Sequence, residues 1–348
     1  MTRLPCSRFA FALAAACLGL AGCRPETAPA AQHAVAEGLE TPRPSGPFGV
    51  GVVERDGRWL IYYPAEMNHT AQAAPALPKD HIADLKRRFG SVVSQALEAG
   101  MGFAVANAHP ATGARPVIVF APGWHMMAQD YRAVLEDIAS RGYVVMALER
   151  LPESQTPPYA ATARALTEGE ALAAGIAADR MDWLNAAIDS QKIVFVGHSV
   201  GGAAAVLAAS RNPTVKGAVN LDGDYANEAA SARPTVPVLY MLSYAPDEAA
   251  SSIARRAEVW RQVKAKSSAP LALQVQGFRH LNFMDAALLA EQVPLKARAN
   301  GFGYYIPAAG LRMTADLVAA FCDEYGNGNG WALAQKRVHW RDAIPLAD

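Results

Sequence analysis

A serine hydroxyl is a weak nucleophile at neutral pH. A serine used for covalent chemistry therefore has to be read together with a base, an acid that orients the base, and donors for the negative charge that develops. The run Gly197-His198-Ser199-Val200-Gly201 has the composition of a sharp turn built around such a serine. Gly-x-Ser-x-Gly recurs by chance as a bare pattern. Here, however, the β-rich run Ile193-Val194-Phe195-Val196 leads into it and Gly202-Ala203-Ala204-Ala205-Val206-Leu207 opens a helix directly after it. Glycines at 197 and 201 let strand and helix approach closely, while Ser199 takes a strained backbone conformation at the helix N-terminus, whose dipole favours an anion. Phosphate binding is the competing use of a glycine-rich strand-to-helix turn, but the chain has neither a P-loop lysine nor a GxGxxG run here. The chemistry these residues suit is acyl transfer through Ser199.

On a strand-to-helix elbow of this kind the chain order is serine, acid, histidine. His280 follows the last β-rich run, residues 271–275, in Gln276-Gly277-Phe278-Arg279-His280, and is the expected base. His198 lies inside the elbow and is expected to point away from a reacting carbonyl, and His339 follows the last long helical pattern. For the acid, Asp222 ends the run Val219-Asn220-Leu221, and Asp247 and Glu248 follow the next strand; position alone leaves both places open. Asp224, two residues into a turn that begins Asp222-Gly223, reads as a solvated turn residue. An oxyanion hole needs two backbone N–H groups, one from Val200 after the nucleophile and one from the loop Phe120-Ala121-Pro122-Gly123-Trp124-His125. Pro122 has no N–H, so Trp124 is the expected donor. Trp124, Met126 and Met127 also bring apolar bulk to this loop, either for an acyl group or as the rim of the core. The histidines show no ligand spacing, so no metal is expected, and no motif asks for a cofactor.

These residues need a scaffold that delivers strand ends to one edge. Apolar runs at 117–121, 143–148, 193–197, 216–221, 236–243 and 271–275 alternate with helical stretches such as 131–140, the pattern of a mostly parallel sheet covered by helices on both faces. Before them, residues 50–53 and 59–63 flank Asp56-Gly57, a strong hairpin signal and hence an antiparallel pair. Ile82, Leu85, Phe89, Val92, Val93, Ala96 and Leu97 keep helical spacing, which predicts one helix capped by Asp80. One α/β domain over residues 48–348 accounts for all of it, and 51% apolar side chains in 348 residues can fill its core. Lys plus Arg and Asp plus Glu both number 32, so no basic field is available for nucleic acid.

The N-terminus reads differently. Arg3 and Arg8 precede an apolar stretch, residues 9–20, that ends in Leu20-Ala21-Gly22-Cys23. This resembles the lipobox of bacterial lipoproteins, which implies a signal peptide over residues 1–22, acylation of Cys23 and a lipid anchor in the cell envelope, the periplasmic face of the outer membrane being one such surface. Residues 23–47, rich in Ala, Pro, Glu and Thr, are expected to be a disordered tether. Cys322 is then the one free thiol, since Cys6 and Cys17 fall in the signal peptide.

Taken together, the segments resemble the platelet-activating factor acetylhydrolases of the plasma and intracellular type II kind, which are phospholipase A2 enzymes of the α/β-hydrolase fold. The resemblance runs through Gly46-Pro47-Phe48-Gly49-Val50-Gly51, Tyr62-Tyr63-Pro64, the elbow with its lead-in Ile188-Asp189-Ser190-Gln191-Lys192-Ile193, Gly217-Ala218-Val219-Asn220-Leu221-Asp222 and His280-Leu281-Asn282-Phe283-Met284-Asp285. It implies that Asp222 is the acid and that the substrate is a small-molecule or lipid ester with a short or oxidised sn-2 acyl group. The family's early loop reads His-Gly where this chain has Pro122-Gly123, which leaves substrate preference open towards short-chain carboxylesters, dienelactone-type substrates and polyesters. A non-catalytic envelope lipoprotein on the same scaffold is the reading from another class, and retention of every site residue argues against it.

Overall fold

At the first turn of the domain Asp56 and Gly57 both take positive φ, 57° and 58°, the pair of left-handed residues that a tight hairpin requires and that Asp and Gly supply. They join β1 (Gly49–Arg55) to β2 (Trp59–Ala65) in an antiparallel pair with Arg55 opposite Trp59. The structure is a computed structural model that describes residue 39 and residues 41–66, 72–73, 77–244, 250–293, 295 and 301–346. The expected signal peptide, Cys23 and the tether up to residue 38 lie outside the described residues, as do Asp247 and Glu248.

Two short strands, β3 (Gln72–Ala73) and β4 (Met101–Gly102), pair apart from the main sheet. The main sheet adds β5 (Ala104–Ala106), β6 (Arg115–Ala121), β7 (Val144–Leu148), β8 (Ile188–His198), β9 (Gly217–Leu221), β10 (Val238–Ser243), β11 (Pro270–Val275) and β12 (Ala343–Pro345). Its order is β12-β11-β10-β9-β8-β6-β7-β2-β1-β5, ten strands among the described residues. From β7 across to β11 every neighbour is parallel; β2 joins β7 and β12 joins β11 antiparallel. The apolar runs read as strands in the sequence are these strands, and the fold is the expected α/β sheet with an N-terminal antiparallel hairpin.

Solid apolar runs suit this sheet because both faces are covered. Alternate residues point to opposite sides: Ile118 and Phe120 enter one core with Val145, Ala147, Val194 and Val196, while Val117, Val119 and Ala121 enter the other with Val144, Met146, Ile193 and Phe195. The first core is closed by α1 (Lys79–Phe89), α2 (Ser91–Glu98), α3 (Arg132–Ser140) and the helix Pro307–Phe321. The second is closed by α4 (Tyr159–Ala178), α5 (Val200–Arg211) and α6 (Ala250–Lys264).

Two boundaries differ from the sequence reading. The single helix expected across residues 82–97 is broken into α1 and α2 by Gly90, whose φ of 89° and ψ of 170° no helix contains. The N-cap position is Pro78, and Asp80 sits in the first turn instead, where its charge still suits the dipole. The domain also starts before Phe48. Thr41 is buried and donates to the Met101 carbonyl, and Ser45 gives both its N–H and its hydroxyl to Asp137 on α3. Asp137 also pairs with Arg141 at 2.6 Å and with Arg312 at 2.9 Å, so residues 41–47 are strapped down by charge and backbone bonding that their polar composition does not reveal.

Candidate active site

The parallel register brings four loops to one edge. Gly197 on β8 lies opposite Ala121 on β6 and Asn220 on β9, so Pro122-Gly123-Trp124, Ser199 and Asp222 leave adjacent strand ends side by side, and β11 sends its own loop towards them. This carboxyl edge is where open α/β sheets place their sites.

Ser199 joins β8 to α5 with φ 55° and ψ −126°, a conformation that a side-chain-bearing residue adopts only when its surroundings hold it there. The surroundings do so through close approach. A Cβ on Gly197 would stand 2.4 Å from the carbonyl carbon of Gly201, and one on Gly201 would stand 2.2 Å from the Ala121 carbonyl oxygen. Neither position has space for alanine.

The Ser199 Oγ lies 3.0 Å from Nε2 of His280, and His280 Nδ1 lies 2.8 Å from Oδ2 of Asp222. A carboxylate only accepts, so Nδ1 carries the ring proton and, in the neutral ring, Nε2 is left to accept from the serine hydroxyl. Asp222 is held in turn by Ser243 at the end of β10, whose N–H donates to Oδ1 at 2.7 Å and whose hydroxyl donates to Oδ2 at 2.8 Å. Burial raises the Asp222 carboxyl, but the bonds from His280 and Ser243 outweigh it and keep Asp222 below the ordinary carboxylate value. Asp222 has φ 54°, and the buried Asn220 braces its turn by accepting from the Gly223 N–H and donating to the Gly223 carbonyl. His280 opens a 3-10 turn, His280–Phe283, closed by the Asn282 side chain, which accepts from the N–H of Arg279 and of Gly303.

The first N–H groups of α5 have no intrahelical acceptor, and Val200 is the first of them. Across from it, a Cβ on Gly123 would stand 3.3 Å from the Ser199 Cβ, so the loop after β6 runs directly beside the serine. The Gly123 N–H is taken by the Tyr131 hydroxyl at 3.1 Å, while the N–H groups of Trp124 and Val200 have no partner among the described residues. Such a constellation can take a proton from a hydroxyl, add that oxygen to a carbonyl and hold the resulting anion.

Trp124 is partly exposed and stacks on His125, with ring centroids 4.3 Å apart. They form one wall of a cavity of about 540 Å³ whose other walls include Arg150, Leu151 and the α1 residues Asp84 and Arg87. Met126 and Met127 are buried beneath the loop, so of the three apolar residues singled out there Trp124 alone reaches well into solvent. The remaining candidates lie apart. Asp224 pairs with Arg255, and His339 packs edge-on against Trp340. Among the described residues no cluster of His, Cys, Asp and Glu gathers as a metal site. Ser243, Asn220 and Tyr131 were not singled out in the sequence; the neighbouring strand end was the one available signal, and it points to Ser243 alone.

Fold and site together define an α/β-hydrolase. Residues 65–290, from the hairpin to beyond His280, match the family described as PET hydrolase-like, and the chain belongs to that family of ester hydrolases. No curated protein matches the chain. Among solved structures, a ferulic acid esterase from Streptomyces cinnamoneus is similar with a TM-score of 0.64 and 23% identity, over 84% of this chain and 94% of that one. The sequence resemblance to platelet-activating factor acetylhydrolases is thus met at the level of α/β-hydrolase esterases, while the matching family is that of the PET hydrolases.

Proposed function

We propose that the chain is a serine carboxylic-ester hydrolase in which Ser199 attacks the ester carbonyl, His280 takes its proton, Asp222 orients and stabilises the imidazolium, and the amides of Trp124 and Val200 hold the oxyanion. The acyl-enzyme then yields to water, activated by the same histidine. The observation that carries this reading is the unbroken hydrogen-bonded run from Ser199 through His280 to Asp222 beside two unpartnered amides. Family membership and the partly exposed Trp124 ring, on the loop that runs beside Ser199, favour aryl and polyester substrates, since a flat aromatic acyl group can pack against an indole. Short-acyl phospholipids are the second reading, favoured by the segments from Gly46 to Asp285 quoted above.

The test is a panel of short p-nitrophenyl esters, an aromatic polyester film and an acetyl phospholipid, each offered to the wild type and to Ser199→Ala. Turnover is expected to fall by about 10⁴-fold or more in the variant. Ester turnover that survives this change sinks the proposal, and the ranking of the three substrates decides between the two readings. The lipid anchor at Cys23 is a separate proposal that rests on Leu20-Ala21-Gly22-Cys23. Palmitate incorporation abolished by Cys23→Ser is the expected result, and an unmodified Cys23 in the mature protein overturns it.

A further inference from the structure

His198 stands next to the nucleophile in sequence, yet its ring is fully buried against His280, with centroids 4.6 Å apart. Its Nε2 lies 2.9 Å from the main-chain carbonyl oxygen of His280 and its Nδ1 lies 2.7 Å from the Tyr131 hydroxyl. A carbonyl only accepts, so Nε2 carries the proton. Burial, reinforced by the neighbouring His280, pushes His198 down to about 3, so the ring is neutral across the working range and Nδ1 is an acceptor. Tyr131 therefore donates its one proton to Nδ1, and its oxygen accepts the Gly123 N–H at 3.1 Å. No proton is left for Met126 Sδ, 2.8 Å from the same hydroxyl, which is a packing neighbour. Burial raises the Tyr131 phenol well above its ordinary value, so this proton stays in place. Each bond in the chain has one direction: Gly123 to Tyr131, Tyr131 to His198, His198 to the backbone of His280.

We infer that Tyr131 and His198 are positioning residues that tie the amide-bearing loop Pro122-Gly123-Trp124 to His280, fixing the oxyanion donors and the base at one separation on either side of Ser199. The two tied parts come from distant stretches of chain, the loop after β6 and the turn after β11, and the Ala133 N–H bond to Asp285 joins the same two stretches further from the serine. The chain also occupies the Gly123 N–H, which leaves the adjacent Trp124 N–H as the free donor of that loop. Phe120, edge-on to Tyr131 at 5.1 Å, and Phe283, 5.6 Å from His198, hold the two rings from their other sides. This inference rests on the proposed roles of Ser199 and His280.

The experiment measures kcat and KM on a soluble p-nitrophenyl ester for Tyr131→Phe, His198→Phe, His198→Gln and the double variant Tyr131→Phe/His198→Phe. Active sites are counted by fluorophosphonate titration, so loss of folded protein does not enter the per-site kcat. Tyr131→Phe and His198→Phe should each lower per-site kcat by about 10- to 100-fold, the size of effect that small misplacements of catalytic groups produce, with KM little changed. The double variant should be no worse than the poorer single one, because one chain is broken either way. His198→Gln, whose amide can still donate to the His280 carbonyl, should recover part of the loss. Wild-type per-site kcat in Tyr131→Phe, or losses that add in the double variant, overturns the inference even if melting temperatures fall. Turnover unchanged in Ser199→Ala overturns the parent reading and this inference together, so the two failures are distinct.

Discussion

Asp222 combines two demands that few residues meet together: a carboxylate for His280 and a backbone with φ of 54°. Asparagine tolerates the left-handed region nearly as well as aspartate, whereas alanine does not. Asp222→Asn should therefore fold normally and lower kcat by about 10³- to 10⁴-fold, since a neutral amide neither fixes the Nδ1–H tautomer nor stabilises the imidazolium. Asp222→Ala should lose as much activity and, in addition, about 1 kcal/mol or more of stability. Kinetics paired with urea denaturation separates the two, and equal stability of both variants would show that the turn carries no strain. Ser199, Asp222 and His280 were legible in the sequence because each ends or follows an apolar run, and the order of such runs is written in the chain. Tyr131 was not, because a partner 67 residues away leaves no local mark, and Ser243 was marked only by ending the strand next to that of Asp222. The inward turn of His198 was half legible: the sequence placed it away from the reacting carbonyl without showing what it holds.

At the scale of elements, the elbow works because α5 and the end of β6 are packed backbone to backbone. A methyl group on Gly201 would stand 2.2 Å from the Ala121 carbonyl oxygen and 2.4 Å from that of Pro122, so the loop bearing Trp124 has to move. Gly201→Ala should lower stability by about 1–3 kcal/mol, the usual range for overpacking, and reduce kcat more than KM changes. Gly175 in α4 provides the contrast, since nothing lies within 4 Å of a Cβ built there and its backbone is helical. Gly175→Ala should raise stability by about 0.5–1 kcal/mol with activity unchanged. Thermal melts and per-site kcat of the pair check both, and a Gly201→Ala enzyme with wild-type kcat would detach the loop from the site. Glycine meaning was legible where pattern supplied a role, as at Gly57 and Gly197. At Gly90 it was not, because helical spacing continues through the break and gives no notice that the backbone turns there.

Over the whole molecule, the layer beneath the site stores acids that the mechanism does not use. Asp285 is fully buried, accepts the Ala133 N–H at the start of α3 through Oδ1, and leaves Oδ2 without a partner among the described residues. Burial pushes its carboxyl up to about 8 despite the nearby Arg132, and burial likewise raises Glu136 to about 7 although Glu136 accepts the Phe103 N–H. A buried acid with a raised value holds its proton in the folded state over a range where the unfolded chain has released it. Unfolding then releases that proton, so stability is fully present at low pH and is lost as pH rises from about 4 towards about 8. This runs opposite to Asp222, whose depressed value contributes stability that is lost as pH falls. Asp285→Asn keeps the acceptor for Ala133 and cannot ionise. Between pH 5 and pH 9 the wild type should lose roughly 5–10 °C of melting temperature, while the variant loses clearly less and keeps only the slope that Glu136 contributes. The curves should cross, because at pH 5 the amide buries two N–H donors where the protonated acid buries one O–H, and gains nothing from being neutral. Melting curves that run parallel across this range would mean that Asp285 is already charged in the folded protein, with Arg132 strong enough to hold it so.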